Sequence, residues 1–196
     1  IDIPLRENIN FHDGSIFDAK AMKFSLDRFM KIGTLKYLLN DKIEAIEVID
    51  EFLLRIKLKK PSSSIKTLLT SVSLTPVSPN SYSDYKDKFN NKSFIGTGPY
   101  FLESFSSSQQ IIKPFTKYWG SKPLNKGIDF VNFNNSSTLF GAIKTNQVDV
   151  LIANSIADMH RLSLNNMANK DKLNSGEGAP ASIGYITFKS NTLPLS

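Results

Sequence analysis

The amino-acid sequence predicts an α/β protein with mixed sheets. Three observations carry this. Apolar and charged residues alternate with period two through Phe52–Lys60, a helical stripe of apolar residues runs from Met22 to Met30, and Gly, Pro and Asn separate short patterned segments throughout the 196 residues.

Taken in order, residues 1–6 read as a strand entering the turn Phe11-His12-Asp13-Gly14, where Asp and Gly supply the turn conformations. Asp18 suits the N-cap of a helix through about Lys31, in which Met22, Leu26, Phe29 and Met30 share one face. A hairpin follows, Ile43–Ile49 and Phe52–Lys60, joined at Asp50-Glu51. In its second strand Phe52, Leu54, Ile56 and Leu58 face one way, and Leu53, Arg55, Lys57 and Lys59 the other. Pro61 ends that strand and Ser62–Leu69 reads as a short helix.

Thr75-Pro76-Val77-Ser78-Pro79 is extended, since proline fixes its own φ and disfavours helix before it. A short helix is expected over Ser81–Phe89, and the polar run Asn90-Asn91-Lys92-Ser93 marks a lobe boundary, giving 1–92 and 93–196. Beyond it come a hairpin (Tyr100–Ser106, Gln110–Pro114) and a strand (Ile128–Asn134). Ser136 or Ser137 is expected to cap the next helix, which runs to about Thr145 with Leu139, Phe140 and Ile143 inward. Asn146 is expected to take the left-handed position that closes this helix, because Asn is second only to Gly there. A buried strand at Val148–Ile152, a helix at Ile156–Leu164 and a last strand at Ser182–Phe188 complete the reading.

Composition narrows function. Lys and Arg total 24 against 18 Asp and Glu, a net charge of +6. The excess is divided evenly: residues 1–92 hold 15 basic and 12 acidic side chains, residues 93–196 hold 9 and 6. The one dense basic run, Arg55-Ile56-Lys57-Leu58-Lys59-Lys60, alternates with apolar residues and so reads as the wet face of a strand, not a phosphate-tracking patch. Nucleic acid is not an expected partner. With no Cys, the chain has no disulfide, thiol nucleophile or Cys-held metal.

Gly96-Thr97-Gly98 does not complete a nucleotide fingerprint: Phe101 stands where a third Gly would be needed, and no Gly-Lys-Ser/Thr follows. His12 and His160 are the only imidazoles, and neither sits in a motif of metal-ligand spacing. No Gly-x-Ser-x-Gly elbow is present. No catalytic residue, metal or cofactor is expected, and His12 reads as a structural turn residue. Tyr118 and Trp119 read as packing anchors beside a turn shaped by Gly120 and Pro123, in preference to a ligand-stacking pair. The Gly-Thr-Gly-Pro run reads as a close approach to other backbone.

Five segments, in order, resemble the family-5 extracellular solute-binding proteins of ABC importers, the oligopeptide, dipeptide and nickel binders. Residues 5–19, Leu-Arg-Glu-Asn-Ile-Asn-Phe-His-Asp-Gly-Ser-Ile-Phe-Asp-Ala, resemble the family's LRxGVxFHDGTPFTA and run into Lys23-Phe24-Ser25-Leu26-Asp27-Arg28. Ile95-Gly96-Thr97-Gly98-Pro99-Tyr100 matches IGTGPY. Tyr118-Trp119-Gly120-Ser121-Lys122-Pro123-Leu124 resembles YWGxKPxLD, with Asn125 in place of the Asp. Asn146-Gln147-Val148-Asp149-Val150 resembles GEVDI, and Gly184-Tyr185-Ile186-Thr187-Phe188 resembles GYLAFN, with Lys189 in place of the Asn.

The resemblance implies a two-lobed, type II periplasmic-binding-protein-like fold. Here 1–92 would form most of a small peripheral lobe and 93–196 the middle of lobe I. The second ligand-closing lobe and the first strands of lobe I would lie outside the chain. It implies a monomeric, periplasmic or lipid-anchored extracellular receptor that delivers peptide or another small solute to permease subunits. The alternative is a regulator's ligand-sensing domain of the same fold. It also implies ligand contacts at Thr75, Pro76 and Val77, at Tyr37, and at Gly184 and Tyr185 on a crossing strand. For Tyr185 a place in the lobe I core is an equal reading. Nickel-chelate binders carry an Arg near the position of Thr75, and this sequence does not.

Overall fold

The first residue is tied to a strand far along the chain: Ile1 N donates to the Ile56 carbonyl at 2.8 Å, and the Ile56 N–H returns to Ile1 O at 2.8 Å. The structure is a computed structural model that describes residues 1–82, 94–152, 156–170 and 172–176. It divides into two compact units, Ile1–Asn132 and Phe133–Ser196. The expected boundary at 90–93 and the expected helix over 81–89, beyond Tyr82, lie outside the described residues, as does the strand 182–188.

In the first unit, β1 (Asp2–Pro4), β2 (Ile43–Asp50) and β3 (Leu53–Leu58) form an antiparallel sheet in the order β1-β3-β2. The alternation in β3 sorts as the sequence predicts. Leu54 and Ile56 are fully buried, whereas Arg55 forks onto both carboxylate oxygens of Asp2 (2.6 and 2.7 Å) and Lys57 reaches Glu47 at 2.6 Å. The basic run is therefore a solvated strand face with its own counter-charges. The hydrogen bond from Arg55 holds the Asp2 carboxyl below its ordinary range.

Helix α1 (Ala19–Ile32) starts where Asp18, extended at φ −135°, accepts the Ala21 N–H at 2.8 Å. Its Ala19 and Leu26 enter a core with Leu39 of α2 (Tyr37–Asn40), Ile43, Ile46, Leu54, Ile56, Ile65 of α3 (Ile65–Leu69) and Leu74. Met22, Phe29 and Met30 pack against that core. Burying each large aliphatic side chain contributes about 1.5–3 kcal/mol. A second cluster, Ile9, Phe11, Phe17 and Ala21, fills the space under the residue 11–15 turn, with the Phe11 and Phe17 rings edge to face at 6.0 Å.

Further along, β4 (Tyr100–Phe105), β5 (Gln109–Pro114) and β6 (Ile128–Val131) make a second antiparallel sheet in that order. The α/β class is borne out, and both described sheets are antiparallel.

In the second unit, α4 (Ser136–Lys144) is capped by Asn135, not by Ser136 or Ser137. Asn135 is extended and its Oδ1 accepts the Thr138 N–H at 2.9 Å. Ser136 Oγ is engaged elsewhere, accepting the Ala157 N–H at 2.8 Å and lying 2.7 Å from His160 Nδ1, which ties α4 to α5 (Asp158–Ala168). Within α4, Ile143 is buried as expected, and Ala142, absent from the expected inward set, is buried too. Val148–Ile152 corrects the sequence reading: it forms no strand, and Val150 and Ile152 are 79% and 70% exposed. A strand needs a neighbouring ladder for its backbone groups, and no described residue supplies one here.

Asn146 has φ +56°, with its N–H on Ile143 O (3.4 Å) and the Gln147 N–H on Ala142 O (2.9 Å). This is the paired-bond closure that uses a left-handed residue after the helix. Asn146→Gly is expected to be neutral or stabilising, and Asn146→Val to cost on the order of 1 kcal/mol or more. Chemical denaturation that ranks Val above Gly would remove this cap.

Candidate functional site

Residues 10–16 fold back on themselves through the Asn10–Ile16 bridge, with the Phe11 N–H on Ser15 O at 2.8 Å and Gly14 at φ +85°. With Phe11 anchored in the apolar cluster, the next two side chains are aimed at distant chain. Asp13 Oδ1 accepts the Ser15 N–H (3.0 Å) and hydroxyl (2.6 Å), and its Oδ2 accepts the hydroxyl of fully buried Ser78 at 2.5 Å. His12 spans the Gly-Thr-Gly segment. Its backbone N–H donates to Gly96 O (2.9 Å), Gly96 N–H donates to Nδ1 (3.4 Å), and Nε2 lies 3.0 Å from Gly98 O. A carbonyl only accepts and an amide N–H only donates, so these partners select the neutral tautomer with hydrogen on Nε2. Phe115 and Phe101 pack edge-on to the imidazole at 5.0 and 6.4 Å.

Ser25, buried on α1, completes the frame. Its Oγ accepts the Val77 N–H at 3.0 Å and lies within hydrogen-bond reach of Ala21 O (2.8 Å) and Val77 O (3.2 Å). Ser78 N–H donates to Ile95 O at 3.0 Å. The extended segment 75–78 is thus held between α1, the turn and residues 95–98 without a strand ladder. Partial burial pushes the Asp13 carboxyl up, but hydrogen bonds from the Ser15 and Ser78 hydroxyls and the Ser15 N–H outweigh it and hold the group below its ordinary value.

This frame decides what the candidate contact residues can offer. Thr75 is exposed, its hydroxyl bonded to Val72 O and its N–H 3.3 Å from the same carbonyl; Pro76 has no N–H, and the Val77 N–H is spent on Ser25. The 75–77 backbone therefore has no N–H group left to donate to a ligand. Tyr37 is 55% exposed at the start of α2, a different element from the 75–77 segment. Gly184 and Tyr185 lie outside the described residues.

The glycine reading needs correction. A Cβ on Gly96 would lie 3.8 Å from Pro76 O and one on Gly98 4.0 Å from Tyr100 O, both ordinary contacts, so it is the backbone polar groups of this run, bonded to His12, that are used. Gly120 is tighter than either, its Cβ site 2.8 Å from the Tyr118 ring. Trp119 donates Nε1–H to Thr97 O at 3.1 Å with the Arg6 guanidinium 4.2 Å from its ring centre, an anchoring role. Ser25 and Ser78 were not singled out from sequence. The available signals were a serine near the buried stripe of a helix and another between two prolines.

Comparison with known proteins follows the same lines. The family model described as bacterial extracellular solute-binding proteins, family 5 middle, matches residues 1–196. The glutathione-binding protein GsiB of Salmonella paratyphi A is 33% identical over 120 residues, 60% of this chain and 23% of that protein. The chain therefore spans about a quarter of the length of the curated relatives it matches. Among solved structures, the periplasmic binding protein DppA of Helicobacter pylori in complex with peptide STSA superposes with a TM-score of 0.65 at 25% identity, covering 75% of this chain and 33% of that one. NikZ of Campylobacter jejuni with Ni(L-His) superposes at 0.73 and 22% identity, covering 87% and 34%, which shows the fold alone.

The lowered Asp13 carboxyl makes a stability claim with a definite sign. Its contribution is complete above the unfolded-state value, near pH 4, and is lost as pH falls through the lower folded-state value. Asp13→Asn is expected to melt below the wild type at neutral pH, with the gap narrowing as pH falls below about 4. A gap that stays constant across that range would show that the Asp13 charge adds nothing to this frame.

Proposed function

The chain belongs to the bacterial extracellular solute-binding proteins, family 5, and from that premise we propose that it is part of the solute-binding component of an ABC importer, capturing a peptide or a similarly small solute and passing it to membrane permease subunits. The observation that carries this reading is the family match across all 196 residues. The protein acts as a monomeric receptor outside the cytoplasm and performs no covalent chemistry; ligand binding selects the arrangement in which lobe I closes against a second lobe, with 1–92 belonging to a small peripheral lobe and 93–196 to the middle of lobe I. Among the described residues no helix is long and apolar enough to cross a membrane.

A peptide is favoured on chemical grounds. With the 75–77 N–H groups absent or already bonded, this segment would meet a ligand through acceptors alone, which suits the N–H groups of a main chain or an amino terminus. Relatives named for glutathione, itself a tripeptide, and a neighbour holding peptide STSA support the same class. Nickel-related neighbours keep a chelated metal as the competing ligand, against which stands the lack of an Arg near Thr75. Tyr37, Gly184 and Tyr185 complete the proposed contacts, Gly184 allowing backbone to approach and Tyr185 supplying a ring and hydroxyl.

Calorimetry on the full-length protein with glutathione, short peptides and Ni(L-His) tests the class; a folded protein that takes none of the peptides ends the peptide reading. In the same protein Tyr185→Ala is expected to weaken peptide binding by roughly 1–3 kcal/mol, through lost contact and an unpaired polar group, with a smaller effect on the unliganded melting temperature. Collapse of the melt with affinity unchanged in the folded fraction would place Tyr185 in the core instead.

A further inference from the structure

The most unusual surface of the first unit is the loop between β5 and β6. From Ser104 through Ile128 the sequence has no Asp or Glu but carries Lys113, Lys117, Lys122 and Lys126. Lys113 faces Glu103 across the sheet at 3.9 Å, whereas Lys117, Lys122 and Lys126 all project exposed from residues 115–127. Between the last two sits Leu124, completely exposed at 104%. An exposed leucine alone is ordinary; a fully exposed one bracketed by lysines on an acid-free loop is a combination of two chemistries.

The loop is held in shape, not loosely draped. Trp119 Nε1–H is fixed on Thr97 O at 3.1 Å beneath Arg6, a further exposed cation. Tyr100 donates its hydroxyl to Asn125 Oδ1 at 2.7 Å, and Gly127 closes the loop at φ +147°, where a Cβ would lie 2.7 Å from Ile112 O. The loop has no carboxylate of its own beside these lysines.

We propose that loop 115–127 is a membrane-contacting surface that binds anionic phospholipid. The lysines meet headgroup phosphates while their alkyl stems lie along the interface, and Leu124 enters the boundary of the acyl region. A polyanion such as nucleic acid would reward the lysines but not the apolar tip, so Leu124 distinguishes the two. Contact of this size is weak, reversible and screened by salt.

The test is co-sedimentation of the full-length protein with phosphatidylcholine vesicles, with and without phosphatidylglycerol, at low and high salt. Binding is expected only with phosphatidylglycerol, lost at high salt, and reduced about tenfold or more when Lys117, Lys122 and Lys126 are all changed to Gln. Leu124→Ser is expected to weaken it severalfold with all charges kept; unchanged thermal melts verify that both variants fold. Three results overturn the proposal: equal binding to both vesicle types, lysine variants that bind as the wild type does, or a Leu124→Ser variant that binds normally while an oligonucleotide competes the protein off the vesicles.

Discussion

The first unit depends on one turn, residues 11–15, whose two polar side chains close very long loops. Asp13 reaches a hydroxyl 65 residues away and His12 a carbonyl 86 residues away. Loop closure costs entropy that grows only slowly with length, so the burden falls on holding the donors and acceptors in register once they meet. Phe11, wholly buried, does this by fixing the root of the turn in an apolar cluster. The polar bonds then specify which distant segments dock there, because a buried polar group without its partner is costly.

The same constraint explains how an extended, proline-bounded segment is held in place. Residues 75–78 have no sheet partner among the described residues, and they are held by Ser25, Asp13 and Ile95. The available N–H groups of this segment are spent on the scaffold.

Charge is distributed by local pairing where elements pack and by exclusion where they do not. On the first sheet Arg55 and Lys57 find Asp2 and Glu47, so a basic run in the sequence leaves little field at the surface. Between β5 and β6 the reverse holds: the lysines have no carboxylate within their loop, and net charge there is available to a partner. The even basic excess of the two halves conceals this contrast.

Local physics was legible in the sequence. The alternation of β3, the Asp18 cap and stripe of α1, the hairpin of β4 and β5, and the left-handed Asn146 each follow from a few adjacent residues, because turn, cap and period are set by short-range sterics and hydrogen bonds. The order of the family-like motifs disclosed the fold class. What tertiary structure decided were outcomes set by partners. Asn135 took the cap because Ser136 was drawn to Ala157 and His160. Val148–Ile152, strand-like in composition, stayed unpaired among the described residues because a strand exists only with a neighbour. Gly96 and Gly98 proved to serve through carbonyls that His12 holds, and Ser25 and Ser78 became the clasps of the 75–78 segment. A side chain's identity fixes which hydrogen bonds it can make; only the folded chain, by bringing residues tens of positions apart within 3 Å, selects which of them it does make.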